Sequence, residues 1–406
     1  MIRHYLKLIW NRKRSNVLIA IEIFLSFLVV FAVVTLGIHY TDMWRKPLGY
    51  SIKDVWSVGI DMRAGNFQDK VPVEILESYR QLLSAIGELP EVVGVAGATS
   101  APYGHSRWTN GSNINGWHLR FAVNQVTDDF APVMGLEITR GRWFDSGDDG
   151  ASWVPVVVNE RLAEEIFGGK NPVGNAIPQE KPRDGSAQPE MRIVGVVRDF
   201  RQDGEMPSME SPENYLFRRH RLEDTERRPP SNLLIKLRPG TTAMFEEKLV
   251  RQMQAVAKDW SFEIEPLEQM RESWLNETLA PMIAAGVIAG FLVLMVGMGL
   301  TGVLWQTVTQ RTREIGLRRA KGANIGDIRT QVFGELVVLT SVALVAGAAI
   351  VLQFPLLQLM DFVSGPVYVA SLVISALCIY LLTIACAWYP SRLATRIQPA
   401  EALHYE

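Results

Sequence analysis

The side chains able to do chemistry in this sequence are few and scattered. Its histidines, His4, His39, His105, His118, His220 and His404, show none of the short spacings that let one element present two imidazoles to a metal. His105 lies in, and His118 just after, a Gly- and Asn-rich stretch, Gly104 to Gly116, that reads as a surface loop. Cys378 and Cys386 lie eight positions apart in one apolar run, where they cannot bridge each other, so the polar part of the chain has no disulfide. No paired acids and no nucleophile stand in a hydrolase context. A phosphate-binding loop needs Gly-x-x-x-x-Gly-Lys-Ser/Thr, and Gly168-Gly169-Lys170-Asn171 lacks both the spacing and the hydroxyl. The sequence therefore predicts no catalytic residue, no metal site and no cofactor bound by this chain. Trp108, Trp117 and Trp143 are expected to anchor loops or core.

What the sequence does concentrate is charge beside apolar runs. Between two such runs lies a connection carrying Arg311, Arg313, Arg318, Arg319, Lys321 and Arg329 against Glu314 and Asp327. Glycines at Gly322 and Gly326 interrupt it, and its length suits an amphipathic helix on a membrane surface. Its charges either serve orientation and bind anionic head groups, or they dock a partner.

Four elements must position this connection. With 48% hydrophobic residues the chain is apolar for a soluble protein, and the excess falls in four runs. A helix needs about 20 apolar residues to cross the roughly 30 Å hydrocarbon core. The first run is Val17 to Ile38, broken only by Glu22, and it reads as a retained membrane helix rather than a cleaved leader. The second, Leu279 to Trp305, has no charge, and the third and fourth lie on either side of Asp361. Positive residues prefer the cytoplasmic side. Arg3, Lys7, Arg12, Lys13 and Arg14 precede the first run, the basic connection follows the second, and Arg392 and Arg396 follow the fourth, whereas only Asp361 separates the third from the fourth.

The resulting organisation is a cytoplasmic segment 1–16, a first membrane helix 17–39, an external domain 40–278 and a second membrane helix 279–305. A cytoplasmic loop 306–334, a third helix 335–353, an external loop 354–366, a fourth helix 367–388 and a cytoplasmic tail 389–406 follow. Both termini are expected inside. The external segment holds 28 basic and 36 acidic residues and the remainder 13 and 7, so the exposed domain is acidic and unsuited to nucleic acid.

The external segment reads as mixed α/β between helical stalks. Asp54 to Met62 alternates like a strand, Val71 to Ile86 has helical apolar spacing, and Val92 to Ala98 is strand-like. Asn232 to Leu237, Thr242 to Ala257 and Phe262 to Pro266 repeat the strand, helix, strand order. The two parts, 53–132 and 229–268, are expected to form one sheet with helices on a face, and about 133–228 to form an inserted subdomain with apolar runs at Val154 to Val158 and Met191 to Val197. Asp199 to Pro230, rich in proline and charge, reads as mobile loops. The fold class is thus a membrane protein of four transmembrane α-helices with an extracytoplasmic α/β (α+β) domain inserted between helices one and two.

Specific strings carry a family resemblance. Thr312-Arg313-Glu314-Ile315-Gly316-Leu317-Arg318-Arg319-Ala320-Lys321-Gly322-Ala323, directly after the second membrane helix, resembles the signature of FtsX-like permeases. Val126-Thr127-Asp128-Asp129-Phe130, Met134-Gly135-Leu136, Gly141-Arg142-Trp143-Phe144, Val156-Val157-Val158-Asn159-Glu160, Pro172-Val173-Gly174 and Ile193 to Asp199 resemble the MacB-type periplasmic domain. Tyr389-Pro390-Ser391-Arg392-Leu393-Ala394 and Pro399-Ala400-Glu401-Ala402-Leu403 complete the pattern. MacB itself carries an ATP-binding domain on the same chain, Lys321 stands where an aliphatic residue is usual, and Glu22 interrupts a helix normally uncharged.

The resemblance implies an ABC transporter permease of the bacterial inner membrane. ATP and magnesium are expected on a partner ATPase dimer, with Arg313, Glu314, Ile315, Gly316, Leu317, Arg318, Arg319 and Gly322 forming the coupling helix that docks on it. The further partners implied are a second permease subunit and, in efflux systems, a periplasmic adaptor and an outer-membrane channel. Work done by such a complex is expected to export an antibiotic, peptide or lipoprotein; the alternative is a regulatory subunit acting on a periplasmic hydrolase or sensor. Gly286 and Gly290 form a small-x-x-x-small pair that allows close helix approach, within one subunit or between two. Glu22 is expected to snorkel toward Arg12 to Arg14.

Overall fold

The computed structural model describes residues 13–62, 70–114, 117–178, 189–207, 212–310, 317, 324–357, 360 and 363–396. In chain order the elements are α1 (Lys13–Arg45), β1 (Val55–Asp61), α2 (Val73–Gly87), β2 (Val92–Ala98), β3 (Trp108–Ile114), β4 (Trp117–Val126), α3 (Phe130–Met134) and β5 (Ile138–Gly141). They continue with β6 (Val154–Asn159), α4 (Glu160–Phe167), β7 (Met191–Val197), β8 (Tyr215–Arg219), β9 (Asn232–Leu237), α5 (Met244–Val256), β10 (Ser261–Pro266), α6 (Leu267–Gln310), α7 (Ile325–Val351), α8 (Gln353–Leu356) and α9 (Gly365–Arg396). Two compact units divide the chain, one of Met1–Asp42 with Leu279–Glu406 and the other of Met43–Thr278.

Four helices of the described residues are long and apolar enough to cross a membrane, over Val17–Arg45, Leu267–Gly302, Phe333–Leu356 and Gly365–Trp388. Hydrocarbon offers no water to backbone groups, so these runs close their hydrogen bonds internally. Their hydroxyls do the same: Ser26, Thr35 and Thr41 each donate to the carbonyl four residues back, at 2.6, 2.6 and 2.7 Å. Within this unit α7 and α9 are tied by polar contacts. Ser341 Oγ and Tyr380 OH lie 2.8 Å apart, Thr340 donates to Thr383 at 3.4 Å, and Tyr368 OH donates to the Val351 carbonyl. α1 packs through Phe27 on Gly347 and through Phe31 edge-on to Tyr368, with ring centroids 5.3 Å apart.

The Glu22 carboxylate lies against Gly299 of α6, where any Cβ would crowd it; the side chains of its expected partners Arg12 to Arg14 lie outside the described residues. Lack of a side chain at Gly299 leaves room for a carboxyl group between the two helices.

In the second unit ten strands form one sheet in the order β10-β1-β9-β2-β4-β8-β6-β7-β5, with β3 paired to β4 outside this path. Most pairs are antiparallel, but β4 with β8 and β6 with β7 are parallel. The amphipathic helices α2 and α5 cover one end of the sheet. Tyr79, Leu82, Ile86, Phe245, Leu249 and Met253 meet Val58, Leu233, Ile235 and Leu237 there, all buried. Each such side chain contributes about 1.5–3 kcal/mol by leaving water. β6 is buried on both faces: Val156 and Val158 pack with Leu162, Ala163 and Ile166 of α4, and Val157 points into the cluster of Phe130, Trp143 and Phe217. Double burial explains its unbroken valine run, because neither face needs polar residues.

Two local expectations change, and the strands of the segment 133–228 join the same sheet as the rest of the unit, where β8 pairs with β4 over Tyr215–Arg219. Asp199 to Pro230 is thus not uniformly loop: it contains β8, whose residues are buried because strands flank it on both sides. The Gly- and Asn-rich stretch after Gly104 contains β3, held by antiparallel pairing of Trp108–Ile114 with Trp117–Val123 rather than by its own weak strand propensity.

Candidate functional site

The expected coupling residues Arg313, Glu314, Ile315, Gly316, Arg318, Arg319 and Gly322 lie outside the described residues, as do Arg311 and Lys321. Leu317 alone is described, helical and half exposed. The connection is bounded by the ends of α6 at Gln310 and α7 at Ile325.

Gly286 and Gly290 are described, and a Cβ at either would meet nothing within 4 Å in this chain. Around them Ile283, Val287, Phe291 and Leu294 are all more than 60% exposed, so this face of α6 has no neighbour among the described residues. The glycines that do face other helices are Gly297, which meets Leu382 and Cys386 of α9, Gly299 beneath Glu22, and Gly347 beneath Phe27. Sequence alone does not separate these from Gly286, because the facing helix decides which small residue is used.

A second constellation was not visible in the sequence. The segment 199–207 runs from the end of β7 toward β8 and touches the parts of both long helices that belong to the second unit. The Arg201 amide donates to the Leu48 carbonyl at 3.1 Å, and its Nη1 donates to the carbonyls of Met43 at 2.7 Å and Lys46 at 3.4 Å. Met43 lies in the last turn of α1 and Lys46 just past its end, where a cation is favoured by the helix dipole; the Met43 carbonyl also accepts from the Lys46 amide at 3.2 Å. Tyr50 OH donates back to the Arg201 carbonyl at 3.0 Å. Four residues on, the Glu205 carboxylate accepts from Arg271 Nε at 2.7 Å and from Tyr103 OH at 3.2 Å. Trp274 Nε1 donates to the Met206 carbonyl at 2.9 Å, and the Arg271 guanidinium lies 5.7 Å from the Trp44 ring centre.

The backbone of this segment is constrained as well. Gly49, at φ +83°, packs so closely that a Cβ would fall on the Asp199 carbonyl, and Gly204, at φ +68°, has the Tyr103 ring in the place of a side chain. Gln202, Asp203 and Glu205 are buried, and Asp203 pairs with Arg107 at 2.6 Å. Burial pushes the Tyr50 and Tyr103 hydroxyls well above their usual range, which keeps both protonated as donors, and burial lowers Arg201. Nothing here is a nucleophile or an acid-base pair aimed at a cleft. The arrangement can hold two helix ends in one geometry.

Two family matches lie on this architecture. Residues 17–252 match the MacB-like periplasmic core domain, and residues 286–399 match the FtsX-like permease C-terminal region. This chain belongs to the MacB-like and FtsX-like permease family. Among relatives in this family, the macrolide export ATP-binding/permease protein MacB 2 of Aeromonas hydrophila is 26% identical over 357 residues, covering 86% of this chain and 52% of its own. A pyoverdine export ATP-binding/permease protein, PvdT of Pseudomonas aeruginosa, is 25% identical over 334 residues, 79% of this chain and 47% of its own. An uncharacterised ABC transporter permease of Bacillus subtilis, YknZ, is 25% identical over 291 residues, 70% of each. The chain spans about half the length of the first two of these relatives. The periplasmic region of MacB from Actinobacillus actinomycetemcomitans aligns over 58% of this chain and 98% of its own, with 13% identity and a TM-score of 0.38. In family terms, Arg201 and Glu205 lie in the periplasmic core match, while Arg271 and Trp274 lie between the two matched regions.

Proposed function

We propose that this chain is the permease subunit of an ABC transporter of the bacterial inner membrane, coupling ATP hydrolysis by a separate cytoplasmic ATPase dimer to conformational work in the periplasm. Its cargo is an antibiotic, peptide or lipoprotein leaving the cell. The carrying observation is the pair of long helices. α1 has 33 residues and α6 has 44, about 50 and 66 Å at the helical rise, whereas the hydrocarbon core takes roughly 30 Å. Each helix has residues in both compact units, so unbroken backbone links the membrane segments to the external fold.

The partners follow from the same reading. On this reading ATP and magnesium are held by the partner ATPase, which the basic connection 306–334 meets through Glu314, Arg318 and Arg319. The uncovered face of α6 around Gly286 and Gly290 suits a second permease subunit, identical or paralogous. The export names of the relatives support efflux, with an adaptor and an outer-membrane channel completing the path.

The test is reconstitution of the full chain with the ATPase that co-purifies with it. Glu314→Ala with Arg319→Ala is expected to lower stimulation of ATP hydrolysis about tenfold while membrane insertion persists; unchanged stimulation removes the coupling role. Cysteine labelling from outside should reach positions between 40 and 278. Labelling of that segment only from the cytosol removes the reading altogether.

A further inference from the structure

We infer that residues 199–207 act as a clasp joining the end of α1 to the start of α6 and passing their relative movement to the β5–β8 part of the sheet, with Arg201 and Glu205 as its positioning residues. The role in transport rests on the permease reading above; the mechanical link itself does not.

The clasp reaches both helices within six residues. Arg201 holds α1 through the Met43 and Lys46 carbonyls, Glu205 holds α6 through Arg271, and Met206 holds it through Trp274. These contacts join positions far apart in sequence, so the loop cannot be serving only its own turn geometry. Its interior is stiff. Arg201 Nη2 lies 3.5 Å from the Glu205 carbonyl, Gly204 fits against the Tyr103 ring, and Gln202 is held by Ser106 and Tyr215 at 3.0 Å each. A displacement of one helix end therefore moves the loop as a body rather than being absorbed within it.

The output side is equally direct. The segment follows β7, and Phe200 near its start packs against Tyr215 and Phe217 of β8 with ring centres 4.5 and 5.0 Å apart. Those rings belong to the buried cluster that also takes Val157 of β6 and Val194 and Val197 of β7. Polar groups at this joint are held in specific pairs while the joint is buried; such pairs fix one geometry, where apolar contacts would tolerate sliding.

Hydrogen exchange on the full chain in detergent tests the link, because coupling between two sites is reciprocal. Glu205→Gln alters a side chain that touches Tyr103 and Arg271 but nothing in α1. It is expected to speed exchange about tenfold at 267–274 and also at 46–52, the loss of one charged hydrogen bond being felt at both ends. Arg201→Lys alters the α1 side and is expected to speed exchange at 267–274 in turn. Amides of β1 and β9 report global stability and stay unchanged. Acceleration confined to the helix each variant touches overturns the clasp. Where either variant loosens β1 and β9 as well, Trp274→Phe, which removes the Nε1 hydrogen bond to the Met206 carbonyl on the α6 side, is read by the same criterion.

With the co-purifying ATPase present, the ATP-driven change in exchange over 191–197 should fall at least threefold in Glu205→Gln; a change of wild-type size overturns the transmitting role. Absence of any stimulated ATPase with the wild-type chain is a failure of the permease reading, seen without a variant, and leaves the exchange result to decide the clasp.

Discussion

The guanidinium of Arg219 grips the carboxylate of Asp128 through two hydrogen bonds, Nε to Oδ1 at 2.7 Å and Nη2 to Oδ2 at 2.6 Å. Its remaining arm, Nη1, reaches Asp149 at 2.7 Å. The Asp128 pair fastens the end of β8 to the turn after β4, and these hydrogen bonds hold the Arg219 pKa above its already high value. Arg219 is 7% exposed but its acidic partners are partly open to water, which keeps the worth of the group below that of a fully buried ion pair. Arg219→Met is expected to cost about 2 kcal/mol, read as a lower urea midpoint at constant slope. Arg219→Lys should recover less than half, since an ammonium cannot fork; full recovery would show that charge alone matters.

Two glycines in the same unit make opposite predictions. A Cβ at Gly195 would fall on the Arg142 carbonyl, where β7 passes the end of β5, whereas Gly150 has nothing within 4 Å and an ordinary φ. Gly195→Ala should therefore destabilise by about 3 kcal/mol through backbone displacement, and Gly150→Ala should stay within about 0.5 kcal/mol of wild type. Equal effects at the two sites would contradict the close approach of these backbones.

His220 supplies a pH dependence. It is buried with neither ring nitrogen hydrogen-bonded, and burial is the main cause that pulls its pKa from 6.5 to about 4, with Asp224 opposing and Arg227 assisting. Above pH 6.5 the ring is neutral in both folded and unfolded chains. As pH falls from 6.5 toward 4 the unfolded chain binds a proton that the folded chain refuses, so stability declines across that window and the loss is complete below 4, amounting to about 3 kcal/mol. His220→Phe should flatten this part of the stability profile relative to wild type. A slope identical in both chains would rule out His220 as its source.

In the membrane unit a side chain at Gly347 has no room beneath Phe27, while Gly286 faces open space. Gly347→Leu is expected to lower the melting temperature of the detergent-solubilised chain by several degrees, and Gly286→Leu to leave the isolated chain unaffected. If the open face of α6 receives a second subunit, Gly286→Leu should instead lower the dimer fraction in size-exclusion chromatography at constant monomer stability. A lower melting temperature of the monomer would place Gly286 in a contact inside one chain.

The sequence by itself determined the quantities that depend on local free energy. Twenty apolar residues in hydrocarbon and a cluster of arginines at one end are decisive without reference to any partner, so four spans and their helical state are legible from Val17, Leu279, Leu336 and Val367 onward. Alternation and helical spacing likewise located β1, β2, β9, β10, α2 and α5 to within a few residues, and β6 and β7 fall on the apolar runs Val154 to Val158 and Met191 to Val197. Tertiary structure decided what those elements meet. β3 is strand only because β4 lies beside it, and β8 escapes a reading as loop because β4 and β6 enclose it. Arg201 and the Met43 carbonyl are 158 positions apart, and no local pattern marks either one for the other. The choice of Gly299 and Gly347 over Gly286 as packed positions depends on which helix lies opposite. Propensity and hydropathy are properties of a segment, whereas a pairing is selected among all segments by geometry and by the cost of leaving a buried group without a partner.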